Sequence, residues 1–141
     1  VKAFSAFYDD ASVDAAALHV GLSGLVSGED PRFSATVATV ERVLRRGPIV
    51  YRYIYDDGLP GREGGLHICA AWLIEALAMV GRVDDARGLF DELLGLFGPT
   101  GLGSEEYCPR TKQSLGNYPQ AYSHAGLINA ALALEASTPR R

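Results

Sequence analysis

The chain has 141 residues, a length that suits one domain able to bury a hydrophobic core. Its composition is that of a globular protein, with 48% hydrophobic and 21% charged residues, and its formal net charge is −4. Because the Arg and Lys residues are scattered, no basic patch predicts nucleic-acid binding, and no apolar run reaches the roughly 18 residues that a membrane span requires.

The beginning of the chain and its cysteines say little about function. We see no signal-peptide pattern and expect a cytoplasmic protein; because Val1 is not an initiator methionine, we also expect an upstream segment. Cys69 and Cys108 lack metal-ligand spacing. Cys69 falls in an apolar segment and is expected to be a small core residue, whereas Cys108 falls in a loop. A disulfide between them is left open.

Five helices are predicted along the chain. Asp9, Asp10 and Ser12 offer N-caps for the first, and Asp30 with Pro31 marks the start of the second. Gly-Pro pairs end the second and fourth helices. Residues 49–55 alternate in an extended pattern. The predicted helical ranges are 12–25, 31–46, 66–80, 84–97 and 119–136.

The helix starts repeat with a period of roughly 53 residues, which is typical of stacked helical pairs. The odd helices are apolar on most faces and the even ones are amphipathic, as a double layer with the odd helices inside requires. We therefore predict an all-α fold. The connections before the third and fifth helices, residues 51–65 and 99–118, are long, and the helix directions place both at one end, where a binding site is expected.

Two and a half repeats leave apolar sides uncovered. The chain is therefore expected to be a piece of a longer protein or to assemble with itself, as a homo-oligomer, through exposed apolar helix faces.

Two segments carry a family resemblance. They are LPGREGGLHICAAWLIEALAMVGRVDDARGLFDELL, from position 59, and GLGSEEYCPRTKQSLGNYPQAYSHAGLINAALAL, from position 101. Together they resemble the C-terminal part of the catalytic domain of glycoside hydrolase family 15, which contains glucoamylases, glucodextranases and trehalase-like enzymes. The resemblance implies a six-hairpin (α/α)6 barrel, of which residues 1–141 would form a single C-terminal portion.

The resemblance also implies an inverting mechanism with two carboxylic acids. One protonates the glycosidic oxygen and the other takes a proton from water, with the carboxyl groups roughly 6.5–9.5 Å apart. The family's base is the first glutamate of a Ser-Glu-(Gln/Glu) loop, which here is Glu105, after Ser104 and before Glu106. The alternative is that Glu105 and Glu106 are solvated loop acids.

The partner acid is missing from these residues. In the family it follows a Trp, but Trp72 is followed by Leu73, so the isolated chain is expected to be inactive. The sequence also departs from the family where an Asp is usual, at Cys108, and where a Gly-Glu-Gln-Leu turn is usual, at residues 112–115. Lys112 occupies a turn position that favours glycine, and we expect it to shift the loop.

Further candidate sugar contacts are Arg52, Asp56, Glu63, Glu106 and Tyr107. Arg52 and Asp56 resemble an Arg-Tyr-x-x-Asp segment that binds sugar hydroxyls in relatives; a salt bridge within the loop is the alternative. Glu63 would open the third helix, where a carboxylate complements the helix dipole, and would also face the site. Glu106 and Tyr107 adjoin the proposed base.

The remaining polar and aromatic candidates are explained as well by structure as by chemistry. We expect His67 and His124 to hold the core or the loops through hydrogen bonds instead of acting in catalysis. His19 is expected to have a structural role. Tyr107, Tyr118 and Tyr122 could stack on sugar rings or pack beneath the loop. No phosphate-binding motif or nucleophile elbow occurs, and we expect no cofactor and no metal.

These observations favour a fragment of an inverting α-glycosidase that hydrolyses α-glucosidic bonds, supplies the general base and binds an oligosaccharide or disaccharide. The alternative is a non-catalytic helical-repeat module that mediates protein association.

Overall fold

A computed structural model describes residues 2–56, 58, 60–61 and 63–137. A short 3-10 helix, Ala15–Leu18, precedes the other elements. The helices are α1 His19–Leu22, α2 Pro31–Leu44, α3 His67–Met79, α4 Val83–Gly95 and α5 Ala121–Ala136. The strands are β1 Arg45–Arg46, β2 Ile49–Val50, β3 Gly65–Leu66, β4 Glu106–Cys108 and β5 Gln113–Leu115. No helix in the described part of the chain is long and apolar enough to cross a membrane.

The predicted helices are present, and the first differs most from its prediction. It is a 3-10 turn followed by one α-helical turn, and Asp14, rather than the predicted Asp9, Asp10 or Ser12, caps it by accepting the Ala16 N–H at 2.7 Å. The second begins at Pro31 as predicted, with the Asp30 carboxylate accepting the Arg32 N–H at 2.8 Å.

The five strands form one antiparallel sheet in chain order, so the prediction of an all-α fold is incomplete. Val50 pairs with Leu66, Leu66 pairs with Glu106, and Glu106 pairs with Leu115. Each strand has only two or three residues, too few to show an alternating pattern in the sequence. The sheet joins the long loops at one end of the helices.

Helix α3 lies at the centre of the core and packs against both α4 and α5. Ten of its thirteen residues are buried, which agrees with the expectation of an inner helix. Gly126 brings α5 close, because a Cβ at that position would lie 2.5 Å from Ile68 Cδ1 and 3.0 Å from Ala71 Cβ. This contact positions the start of α5 relative to the start of α3.

Helix α5 differs from its prediction. It was expected to be buried like α3, yet only one face of it is covered, through Ser123, Gly126, Ala130 and Leu134. The uncovered side is apolar too, with Ile128 60% and Leu132 58% exposed. An apolar helix face is therefore open to solvent in this chain.

Candidate active site

The two long loops meet at the pairing of β3 with β4, so the expectation that both lie at one end is confirmed. Gly65 pairs with Tyr107 and Leu66 pairs with Glu106. The approach is close, because a Cβ on Gly64 would lie 2.6 Å from the Tyr107 carbonyl oxygen. Residues from both loops therefore share one surface above the N-termini of α3 and α5.

Glu105 is held at the centre of this surface by backbone and side-chain contacts. Its N–H donates to the Asn117 carbonyl at 2.9 Å, and its carbonyl accepts the His67 N–H at 3.1 Å. Its carboxylate oxygen Oε2 accepts the Asn117 backbone N–H and the Asn117 Nδ2–H, both at 3.1 Å. The other oxygen, Oε1, makes no hydrogen bond to the described residues. One oxygen is therefore oriented and the other can bind water.

Gly116 packs directly against this carboxylate. A Cβ built on Gly116 would lie 2.6 Å from Glu105 Oε2 and 2.8 Å from Glu105 Cβ, and its φ is +70°. Only glycine combines this conformation with this clearance. The Gly-Asn pair that ends β5 therefore shapes the Glu105 site as well as the entry into α5.

Glu106 is half-buried and belongs to the same acidic group. Its Oε2 accepts the Gly64 N–H at 2.7 Å. Burial raises the pKa of Glu106, the Gly64 hydrogen bond lowers it, and the charges of Glu63 and Glu105 raise it further. Three carboxylates from two loops are therefore close enough to interact.

Three buried polar side chains lie beneath Glu105. The Ser104 carbonyl accepts the His67 ring Nδ1–H and the Ser123 Oγ–H, each at 2.8 Å, and the Ser104 Oγ–H donates to the Glu106 carbonyl at 2.7 Å. His67, Ser104 and Ser123 are each at most 2% exposed. They tie the loop to the first turns of α3 and α5.

Arg52 makes a salt bridge, but not with Asp56 of its own loop. Its Nε lies 3.5 Å from Asp14 Oδ2, and its guanidinium lies over the Tyr53 ring. Asp56 instead accepts the Gly58 N–H at 2.9 Å, in an exposed turn. The structure thus leaves Arg52 half-exposed and pairs it with Asp14 instead of Asp56.

Glu63 does not open the third helix, because α3 begins four residues later at His67. Its side chain is exposed, and its charge acts on both Glu106 and the Cys69 thiol. The helix-dipole explanation for Glu63 is therefore wrong, and its place in a sugar site stays a prediction. Tyr107 lies in β4 and is partly buried.

His124 anchors the loop, as expected. Its Nδ1–H donates to the Gln120 carbonyl at 2.8 Å, its Nε2 lies 3.3 Å from both the Gly103 nitrogen and the Gly101 carbonyl oxygen, and its ring meets Phe97 edge-on. The Cys69 thiol is buried as predicted, and this burial raises its pKa to about 12. Cys69 and Cys108 are both free, so the disulfide left open by the sequence is not formed.

Lys112 adopts the left-handed conformation, with φ of 57°, at the turn between β4 and β5. Its N–H closes the turn on the Cys108 carbonyl at 2.8 Å. The expectation of a turn that favours glycine is confirmed. Lys112 nevertheless leaves the β4–β5 pairing intact, with Tyr107 opposite Ser114.

Sequence reasoning missed Asn117 and Ser123. Asn117 was not singled out from the sequence, although its side chain holds Glu105. Its signal was the Gly-Asn pair, since both residues are common in turns where side chains bond to nearby groups. Ser123 gave no signal, because a single serine in an apolar helix is ordinary.

With this geometry established, the chain can be placed among known proteins. The sequence profile described as "Glycosyl hydrolases family 15" matches residues 2–132. The chain therefore belongs to glycosyl hydrolases family 15.

Similar proteins include several trehalases. The chain is 41% identical to the trehalase of Mycolicibacterium smegmatis over 126 residues, covering 87% of this chain and 19% of that protein. It is 35% identical to the trehalase of Thermoplasma volcanium over 141 residues, covering 99% of this chain and 23% of that protein. The chain thus spans about a fifth of the length of these relatives.

Solved glycosidases share the fold. A wild-type glycosidase superposes with a TM-score of 0.75 at 22% identity, covering 93% of this chain and 38% of the other. A glycosidase variant in complex with glucose superposes with a TM-score of 0.77 at 20% identity, with the same coverage. The fold is thus the helical fold of these glycosidases.

Proposed function

We propose that this chain is the C-terminal part of an inverting α-glycosidase domain built as an (α/α)6 barrel, and that it supplies the general base for hydrolysis of an α-glucosidic bond. The names of the relatives favour trehalose as the substrate. The observation that carries the proposal is the Glu105 carboxylate, with Oε2 held by two Asn117 donors and Oε1 without a protein partner among the described residues.

This arrangement suits a base that acts on water. Asn117 limits rotation of the carboxylate, so Oε1 has a defined direction in which to receive a proton. In an inverting reaction the water attacks the anomeric carbon while a second acid, roughly 6.5–9.5 Å away, protonates the departing oxygen. That acid would come from outside these 141 residues. The isolated chain is therefore expected to release no glucose.

The other candidate residues would contact the sugar. Arg52 and Asp56 present donors and acceptors suited to hydroxyls, while Glu63, Glu106 and Tyr107 border the base. Arg52 would keep its position through Asp14, and Glu106 through Gly64.

The test is a chimera in which this chain replaces the matching fifth of the M. smegmatis trehalase. We expect the chimera to hydrolyse trehalose and Glu105→Gln to lower kcat by about 10²–10⁴-fold, because the amide cannot accept the proton. Glu29→Gln, at an exposed glutamate in the turn before α2, is the matched control and should leave kcat unchanged. An active Glu105→Gln chimera would contradict the proposal.

The stereochemistry of the product tests inversion separately. Both anomeric centres of trehalose are α, so inversion at one of them releases one β-glucose and one α-glucose, whereas retention releases α-glucose alone. Proton NMR of the first products should show the two anomers in equal amounts.

A second candidate function, protein association without catalysis, is favoured by the exposed apolar face of α5. We assign that face instead to the rest of the catalytic domain, since the trehalases are about five times as long as this chain. A folded but inactive chimera would favour the second candidate.

A further inference from the structure

We propose that His67, Ser104 and Ser123 form a buried positioning cluster that sets the direction of the Glu105 carboxylate, with His67 acting in its neutral form. This inference rests on the proposed role of Glu105 as the base. None of the three residues reaches the surface where a sugar would bind, so they act through the backbone of the loop.

The cluster accounts for most of the buried polar side chains. Thr36 is the one other residue of this kind in the described part of the chain, and it bonds elsewhere, to the Arg32 and Phe4 backbones. Burying polar side chains is unfavourable unless each finds a partner. Their concentration beneath one loop therefore indicates that this loop must be held in one position.

The hydrogen bonds fix the backbone on both sides of Glu105. The Ser104 carbonyl, which precedes Glu105, accepts two donors from different helices, His67 of α3 and Ser123 of α5. The Ser104 hydroxyl donates to the Glu106 carbonyl, which follows Glu105. Together with the His67 N–H bond to the Glu105 carbonyl, this leaves only the Glu105 side-chain torsions free, and Asn117 restrains those.

The neutral form of His67 follows from its surroundings. Its Nδ1–H donates to Ser104, while Nε2 is buried without a hydrogen-bond partner in the described part of the chain, and its ring lies 5.2 Å from the Phe97 ring. A second proton would sit on Nε2, where none of the described groups accepts it. Burial lowers the pKa of His67, the Ser104 bond raises it, and the charge of His124 lowers it again.

The direction of the pH effect follows from this lowered pKa. In the described part of the chain, the titratable groups near His67 are His124 on α5 and the carboxyl groups of Glu105 and Glu106 in the loop, while Phe97, just after α4, contributes an uncharged ring. As the pH falls below about 6.5, His67 becomes protonated in the unfolded chain but stays neutral in the folded chain. The free energy of unfolding should therefore decrease in acid, and His67→Asn should reduce that decrease.

The first experiment uses the 141-residue chain and needs no activity. Nitrogen NMR of the imidazole at pH 7 should show His67 with its proton on Nδ1, and the Glu105 amide, which donates to Asn117, should exchange slowly with solvent. Ser123→Ala should speed exchange at Glu105 by about ten-fold while leaving the core amides of Leu73 and Leu89 unchanged. Ser137→Ala, at a serine near the other end of α5 that bonds to the Ala133 carbonyl, is the control.

An Nε2–H tautomer, or equal acceleration at Leu73, Leu89 and Glu105, would overturn the inference. The second outcome would show that Ser123 supports the whole fold and not the loop.

The second experiment measures kinetics in the chimera. His67→Leu should lower kcat by about 10²-fold with KM within two-fold, as expected for a misplaced catalytic group. His67→Asn should recover most of this loss, because its Nδ2–H can replace Nδ1–H toward Ser104. A His67→Asn variant as slow as His67→Leu would overturn the inference.

The two proposals fail separately. An active Glu105→Gln chimera would show that Glu105 is not the base, and it would say nothing about the hydrogen bonds of the cluster. In that case, slow amide exchange at Glu105 that depends on Ser123 would still show that the cluster holds the backbone of the loop.

Discussion

Gly116 shows how much one residue contributes to the candidate site. Its backbone φ is +70°, and its α-carbon lies beside the Glu105 carboxylate. The Asn117 donors thus orient the Glu105 carboxylate, and the neighbouring Gly116 leaves room for the same carboxylate oxygen because it has no side chain.

Substitution of Gly116 by Ala should therefore displace the Glu105 carboxylate. We expect the free energy of unfolding to fall by more than the roughly 1–2 kcal/mol that a left-handed non-glycine residue costs, and kcat of the chimera to fall about ten-fold or more. Gly101→Ala is the matched control, because its φ is +68° and nothing lies within 4 Å of its Cβ position.

Urea titrations of the two variants give the loss in free energy of unfolding for each. The loss for Gly101→Ala measures the backbone strain, and the additional loss for Gly116→Ala measures the contact with Glu105. Equal losses for Gly116→Ala and Gly101→Ala would show that the contact with Glu105 has no energetic effect.

At the scale of elements, the β4–β5 hairpin carries the proposed base into place. Its strands have three residues each, and its turn contains Lys112 in a conformation that favours glycine. The pairing tolerates this strain because Glu106 is also paired with Leu66 of β3, so the hairpin does not rely on its own turn alone.

Lys112→Gly should stabilise the chain by up to about 1 kcal/mol, since relief of the left-handed strain is partly offset by the greater freedom of glycine in the unfolded state. Asp9→Gly is the control, because Asp9 has the same φ of 57° and aspartate tolerates this conformation better than lysine. Urea midpoints should rise more for Lys112→Gly. A larger gain for Asp9→Gly would contradict this explanation.

At the scale of the whole molecule, the main feature is the apolar face of α5. The helix is apolar all round, as expected for an inner helix of a closed ring, but it is covered only where it packs against α3 and α4. In the proposed complete domain the other side would be buried, and each Ile or Leu there would contribute about 1.5–3 kcal/mol.

Without the rest of that domain, the isolated chain should associate with itself through α5. We expect light scattering to show a mass above that of a monomer, rising with concentration, and Ile128→Glu with Leu132→Glu to restore the monomer. Leu94→Glu is the control, because Leu94 is an exposed leucine on α4. A monomer at all concentrations for the unmodified chain would contradict this prediction.

The sequence alone determined the features that depend on neighbouring residues. Helix positions followed from apolar periodicity and from local stop and start signals such as Asp30-Pro31, and the left-handed turn at Lys112 followed from its place in a motif. Glu105 was singled out by the resemblance of its Ser-Glu-Glu segment to the family's motif. The common end of the two long loops followed from helix direction, because helices joined by short links must run antiparallel.

Only the tertiary structure decided what depends on distant residues. The five strands are too short to have a pattern of their own and exist because the loops pair across the molecule. Arg52 forms a salt bridge with Asp14, and Glu105 forms hydrogen bonds with Asn117 and His67. These partners could not be predicted, because such bonds form between groups that only folding brings together. The sequence could thus indicate which carboxylate to examine, while the packing of α3 against α5 determined how it is held.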